Sequence, residues 1–205
     1  MNQSITFQNI LKKYLPIEFV VYVSNLIVHS KVKFKIVAPR STKLGDFRAS
    51  LKKDEKSQIT VNGDLNPYAF LITTLHELAH LNTYQQYGVN VNPHGKEWKK
   101  EFSALLEPVL TVSTLPSDIK NTLTKSVKNL KASSCSDIHL SRVLKKYDQP
   151  KTTQTLEELD EHTIFSINKK VFTKGKLRRT RYLCKEMVSG KSYLIHALAE
   201  VKKKK

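Results

Sequence analysis

Cysteine is scarce in this chain. Cys135 and Cys184 are the only two in 205 residues and they are far apart. That excludes a disulfide framework and fits a reducing compartment. Long apolar runs are also missing: the most apolar stretch, Ile17 to Val28, is interrupted by Glu18, Ser24 and Asn25 and is too short to span a bilayer. The first ten residues lack the basic-then-apolar order of a signal peptide. A cytoplasmic protein without a membrane partner is therefore expected. Acidic residues are few, 18 against 35 Lys and Arg, which leaves a formal charge of +17. An excess of this size points to a polyanionic partner, with nucleic acid first and an anionic membrane surface second. What is present, 40% hydrophobic and 8% aromatic residues, suits a globular core rather than a disordered chain.

The charge is uneven. Residues 1–115 hold 14 Lys/Arg and 9 Asp/Glu, a net of +5, whereas residues 116–205 hold 21 and 9, a net of +12. This asymmetry suggests chemistry in the first part and electrostatic docking in the second. Phe7 to His29 has helical spacing, divided at Pro16, which suits the first turn of a second helix. Lys31 to Ala38 alternates, with Val32, Phe34 and Ile36 against Lys33 and Lys35, and predicts a half-buried strand. Gly45 and Asp46 predict a turn, and Gln58 to Asn62 a second strand, antiparallel to the first. Asn66-Pro67 is a helix start, Asn66 capping and Pro67 in the first turn, for a helix running to about Tyr87-Gly88. Asn92-Pro93 repeats that signal before a helix with Trp98, Phe102, Leu105 and Val109 on one face. Beyond Pro108 the pattern weakens into a Ser/Thr/Lys-rich linker or marginal helix, followed by a short helix over Ser136 to Tyr147. From Thr163 the chain is strand-like, with turns at Asn168, Gly175 and Gly190. The organisation predicted is an α+β domain over 1–115, a helical linker over 116–150 and a basic, β-ribbon-like element over 151–205.

The chemistry-bearing motif is His76-Glu77-Leu78-Ala79-His80. Residues four apart on a helix project to the same side, so His76 and His80 can present imidazole nitrogens to one ion. Glu77, rotated by roughly 100° from His76, lies beside the ion and can take a proton from its water. Catalytic zinc keeps three protein ligands and an open position, and His94, fourteen residues after His80 at the head of the next helix, is the natural third. Gly95 keeps the backbone beside it uncluttered, and Glu97 and Glu101 are within reach as outer acceptors. Tyr84 and Tyr87 lie near the Glu77 and histidine directions and are the candidates for an oxyanion donor. His29, His139, His162 and His196 have no partner at ligand spacing.

These residues resemble the SprT-like metalloprotease family, which includes the bacterial SprT proteins and the eukaryotic Spartan proteases. The resemblance runs over roughly residues 1–110. It begins at Arg40-Ser41-Thr42-Lys43-Leu44-Gly45 and passes through Ile59-Thr60-Val61-Asn62 and Leu65-Asn66-Pro67-Tyr68. It then takes in the His76–His80 motif and closes on His94-Gly95-Lys96-Glu97-Trp98. It implies a compact zincin-like protease domain of helices on a small antiparallel sheet. It further implies one Zn²⁺ held by His76, His80 and His94, with Glu77 as general base and a protein substrate, in Spartan members one trapped on DNA. It also implies a zinc β-ribbon after the protease domain. Here the sequence departs, because Cys184 and a distant Cys135 cannot form a four-cysteine site. The C-terminal part is expected to be a ribbon without its metal.

Lys174-Gly175-Lys176-Leu177-Arg178-Arg179-Thr180-Arg181-Tyr182 mixes cations with an aromatic, as phosphate-contacting strands and turns do. Lys174, Lys176, Arg178, Arg179 and Arg181 are accordingly expected to contact DNA, with the Lys202–Lys205 tail adding charge whose effect falls with salt. The leading reading is a DNA-associated zinc endopeptidase. Its competitors are a nucleic-acid-binding protein with a structural or vestigial zinc site, and another zinc hydrolase such as a nuclease.

Overall fold

Pro16 divides the first apolar stretch into two helices, α1 (Gln3–Leu11) and α2 (Ile17–His29). Phe19, Val20, Val23, Ser24 and Ile27 form the buried stripe of α2, at the spacing of a one-faced helix. The computed structural model describes residues 3–40, 42–50, 52, 55–128, 137–149 and 153–204. Within it the chain divides into two units, Met1–Asp148 and Gln149–Lys205.

The first unit continues with a three-stranded sheet of β1 (Lys33–Val37), β2 (Gly45–Arg48) and β3 (Gln58–Asn62) in the order β1-β3-β2. The expected alternation holds in β1, whose lysines are exposed while Phe34 and Ile36 are partly buried. The expected antiparallel pairing does not: β3 is antiparallel to β2 but parallel to β1. The cause is the apolar character of β3, where Ile59 and Val61 are wholly buried. It takes the centre of the sheet, between two strands that run opposite to each other. Gly45 and Asp46, expected in a turn, instead begin β2.

Asn66 caps α3 (Pro67–Tyr87) as its sequence implies, its Oδ1 accepting from the N–H groups of Tyr68 at 3.1 Å and Ala69 at 2.9 Å. Gly88 ends the helix with a positive φ of 69° and ψ of −152°, a backbone conformation that essentially only glycine adopts. α4 (Lys96–Thr111) buries Trp98, Leu105 and Val109 and runs past Pro108. The stretch expected as a linker carries α5 (Ser117–Lys128) and α6 (Ile138–Lys145). Leu115, Ile119, Leu123 and Leu140 belong to the same buried cluster as α2, β3, α3 and α4. These segments are therefore part of the first unit's core.

The second unit is an antiparallel sheet of seven strands. They are β4 (Gln154–Thr155), β5 (Ile164–Ile167), β6 (Lys170–Thr173), β7 (Leu177–Arg178), β8 (Arg181–Glu186), β9 (Ser192–His196) and β10 (Glu200–Lys203). Their order is β4-β10-β5-β6-β8-β7, with β9 also on β8. Leu156, Leu159, Phe165, Phe172, Cys184 and Val201 form its core. Asn168 and Lys169, both with positive φ, make the two-residue β5–β6 turn. Cys184 is a buried free thiol, and Cys135 lies outside the described residues. Among the described residues no helix is long and apolar enough to cross a membrane.

Candidate metal centre

α3 is buried for most of its length, from Ala69 to Leu81, and this fixes the direction of its two histidines. His76 and His80 sit one turn apart, their Nε2 atoms separated by 3.1 Å. The Nε2 of His94 lies 3.1 Å from that of His76 and 3.0 Å from that of His80. Three nitrogens thus converge on one point. Each neutral imidazole donates through one nitrogen only, so a ring of three facing nitrogens cannot be satisfied by hydrogen bonds among themselves. Three nitrogens of a tetrahedral zinc site with bonds of about 2.0–2.1 Å lie about 3.3 Å apart, within a few tenths of the separations here. The donor set fits a zinc ion, and no other residue of the described chain joins this cluster.

His94 does not stand on the first turn of α4, as the Asn92-Pro93 signal predicts. It precedes the helix in a tight turn closed by the Gly95 N–H on the Asn92 carbonyl at 2.8 Å, with a left-handed φ of 61°. Pro93 serves the second position of that turn and His94 the third, where φ must be positive. Histidine tolerates this better than most side chains, yet it remains uncommon away from glycine. Gly95 matters for the turn itself, because a Cβ there would lie 2.9 Å from the Asn92 carbonyl oxygen.

Burial is the main cause holding all three imidazoles uncharged. It lowers the pKa of His76 to about 3, with His80 and His94 adding to the effect, and that of His80 to about 4, with His94 contributing. His94 is lowered by burial alone. Neutral imidazole is the form that binds metal. The wall behind them is Trp98, whose ring centroid lies 4.7, 5.4 and 4.8 Å from those of His76, His80 and His94. Phe47 of β2 covers the other side, its ring nearly parallel to that of His80.

Glu77 is buried, 6% exposed. Burial, then the neighbouring charge of Asp46, raises its pKa to about 7, opposed by the Phe47 backbone N–H and by Arg40 and Lys43. A carboxylate poised near neutrality is suited to take and return a proton. Asp46 itself is held low by Lys43 and Arg48, each at 2.8 Å. Glu101 is buried and accepts from Asn82 at 3.5 Å, while Glu97 pairs with Lys96 at 3.7 Å. Tyr84 donates to the Ser50 carbonyl at 2.9 Å, and Tyr87 is exposed near the end of α3. The sequence marks Asp46 only as a turn residue and gives no sign of Phe47 or Asp46 beside Glu77. Their signal is tertiary: they precede Glu77 by some thirty residues and reach it only through the sheet.

The five cations expected on DNA separate into two groups. Lys176, Arg178, Arg179 and Arg181 are exposed on the β7–β8 hairpin, Arg178 paired in register with Arg181 and Arg179 in the turn. Lys174 is a correction. It is buried, donates to the carbonyls of Glu157 and Leu159, and lies 4.0 Å from the centroid of the Tyr182 ring. Two carbonyls of the Leu156–Leu159 turn and the Tyr182 ring of β8 draw the ammonium inward, away from the exposed hairpin cations.

The SprT-like family model matches residues 22–117, a span that contains the sheet, α3, the His94 turn and α4. Residues 22–117, slightly under half of the chain, are similar to the SprT-like family. The chain is also 48% identical over 61 residues to the Protein SprT of Vibrio parahaemolyticus serotype O3:K6 (strain RIMD 2210633), covering 28% of this chain and 34% of that protein. It thus spans about a third of that relative's length. No solved structure matches the chain. The SprT-like region holds the entire histidine cluster and Glu77, and the seven-stranded unit lies beyond it.

Proposed function

We propose that this protein is a zinc-dependent endopeptidase acting on proteins associated with, or crosslinked to, DNA. The observation that carries the reading is the convergence of three neutral imidazole nitrogens, one buried and two half-buried, beside a buried carboxylate one residue along the same helix. The match of this region to the SprT-like family, whose domains are of metalloprotease type, supports it. Zinc held by His76, His80 and His94 supplies Lewis acidity and lowers the pKa of its water toward neutrality. Glu77 then takes a proton on its carboxylate and returns it to the leaving amine. Trp98 and Phe47 shield the imidazoles from bulk water and keep them neutral.

The DNA-directed part of the proposal is supported by the second unit. Arg178 and Arg181 stand directly opposite each other across two strands, an arrangement of like charges that is unfavourable alone and relieved by a polyanion. The test is to incubate zinc-loaded protein with a DNA-bound protein substrate, with and without DNA, beside Glu77→Gln. Cleavage stimulated by DNA and absent from the variant is the expected result. Stoichiometric zinc with no cleavage of peptide or nucleic acid overturns the enzyme reading. Glu77-dependent cleavage of the nucleic acid instead makes the protein a nuclease.

A further inference from the structure

The geometry points to Gly45 as a positioning residue for Glu77: the side chain absent at the start of β2 leaves the space in which the carboxylate lies, and the Phe47 N–H fixes its direction. A Cβ at residue 45 would sit 2.5 Å from Glu77 Oε1, 2.8 Å from Glu77 Cγ and 2.7 Å from Thr73 Cγ2. All three are closer than side chains pack, and two of the three atoms belong to Glu77. Gly45 has no left-handed φ, so conformational freedom does not explain the glycine. Proximity does.

Strand pairing explains why the Phe47 N–H is available. The Asn62 N–H donates to the Leu44 carbonyl at 2.9 Å, which makes Leu44 and Asn62 a hydrogen-bonded pair. Such pairs alternate along an antiparallel ladder, so Asp46 and Arg48 exchange bonds with β3 while the backbone groups of Gly45 and Phe47 point away from it. β2 is an edge strand, with no partner strand on that outer side among the described residues. The outward N–H of Phe47 favours the charged form of the Glu77 carboxylate, and its bond to that carboxylate is part of the proposal. The side chain of Asp46 pairs locally with Lys43 and Arg48 at 2.8 Å each. Room at one residue and a donor two residues later together select one orientation of a buried carboxylate on a rigid helix. A misplacement of about 1 Å at such a group costs on the order of a hundredfold in rate.

This inference rests on Glu77 being the general base, but it has a readout that needs no catalysis. Amide hydrogen exchange measured by NMR on the zinc-free protein should find Phe47 protected in the wild type. Its exchange should accelerate about tenfold or more in both Gly45→Ala and Glu77→Ala, while the Asp46 and Arg48 amides keep their protection. Glu77→Ala adds no atoms, so it asks the question even where Gly45→Ala does not fold. In the zinc-loaded enzyme, Gly45→Ala should lower kcat by ten- to a hundredfold with KM and zinc affinity unchanged. Adding Thr73→Ser, which removes Cγ2 but nothing from Glu77, should not restore it. Retained protection of Phe47 in Glu77→Ala overturns the proposal, and so does recovery of kcat in the Thr73→Ser double variant. A wild type that cleaves no protein, yet shows the exchange pattern, removes the protease reading and leaves the positioning of Glu77 standing.

Discussion

Asn66 joins the start of the histidine-bearing helix α3 to the end of the first unit: its Nδ2 donates to Asp148 at 2.6 Å and to the Leu144 carbonyl at 2.9 Å while its Oδ1 caps α3. One side chain therefore serves two tasks about eighty residues apart in sequence. Asn66→Ala removes the cap and leaves a carboxylate and a carbonyl without their donor. The expected loss of stability is about 2 kcal/mol, the cap and the charge-assisted bond each contributing about 1. Asp148→Ala should lose roughly half of that. Urea unfolding followed by circular dichroism checks both, and a wild-type midpoint for Asn66→Ala would refute the link.

The buried titratable groups predict opposing pH effects on the zinc-free protein. The unfolded chain protonates His76 and His80 near pH 6.5, whereas the folded chain resists until about pH 3 and 4. Their contribution is therefore fully present above pH 6.5 and is lost as pH falls through that window. Glu77 has the opposite sign. Ionising at 4.5 when unfolded and at about 7 when folded, it contributes stability below pH 4.5 that is lost as pH rises to 7. Two histidines outweigh one glutamate, so stability should rise between pH 4.5 and 6.5. Glu77→Gln removes the opposing limb, and its advantage over wild type should grow by up to about 3 kcal/mol from pH 4.5 to 7. Urea unfolding of chelator-treated protein at constant ionic strength measures this. Parallel curves for the two proteins would show that Glu77 does not titrate high.

The parts legible in the sequence are those whose signals are local. The Asn66-Pro67 start, the length of α3 and the shared direction of His76 and His80 all follow from helical period and capping. Asn92-Pro93 carries the same letters into a different structure, because proline suits the second position of a turn as well as the first turn of a helix. The choice is made by Trp98, whose burial sets where α4 begins. Leu115, Ile119 and Leu123 did offer a row at steps of four, hidden among Ser, Thr and Lys, that marks α5 as a core helix. The central place of β3, the approach of Gly45 to Glu77 and the burial of Lys174 depend on contacts between distant segments, for which residue spacing holds no signal.

Zinc stoichiometry separates the two units chemically. The three nitrogens of His76, His80 and His94 form one site, and Cys184 is a buried thiol packed among Leu156, Phe165 and Phe172. Metal analysis after dialysis should find one zinc per chain in the wild type and in Cys184→Ala, and markedly less in His94→Ala. At a free zinc concentration of a hundred times Kd, the bound ion should stabilise the folded first unit by about 2.7 kcal/mol, and a chelator should remove that gain. Two zinc ions per chain would refute the reading of the second unit as a metal-free sheet.

The cations of the second unit predict a salt dependence that distinguishes contact from structure. Lys176, Arg178, Arg179 and Arg181 are exposed, whereas Lys174 is enclosed by the carbonyls of Glu157 and Leu159 and the Tyr182 ring. Binding of a labelled single-stranded oligonucleotide, followed by fluorescence anisotropy, should weaken linearly in log Kd against log salt. Replacing Arg178, Arg179 and Arg181 together by Ala should reduce the slope by about 2, since each phosphate contact on a single strand contributes about 0.7. Lys174→Met should leave the slope unchanged. It should instead lower the unfolding midpoint, because two carbonyls lose their donor, at about 1–3 kcal/mol for each group left buried without a partner. A slope that responds to Lys174→Met but not to the arginines would reverse the assignment. Affinity independent of salt in every variant would remove nucleic acid as the partner of this surface.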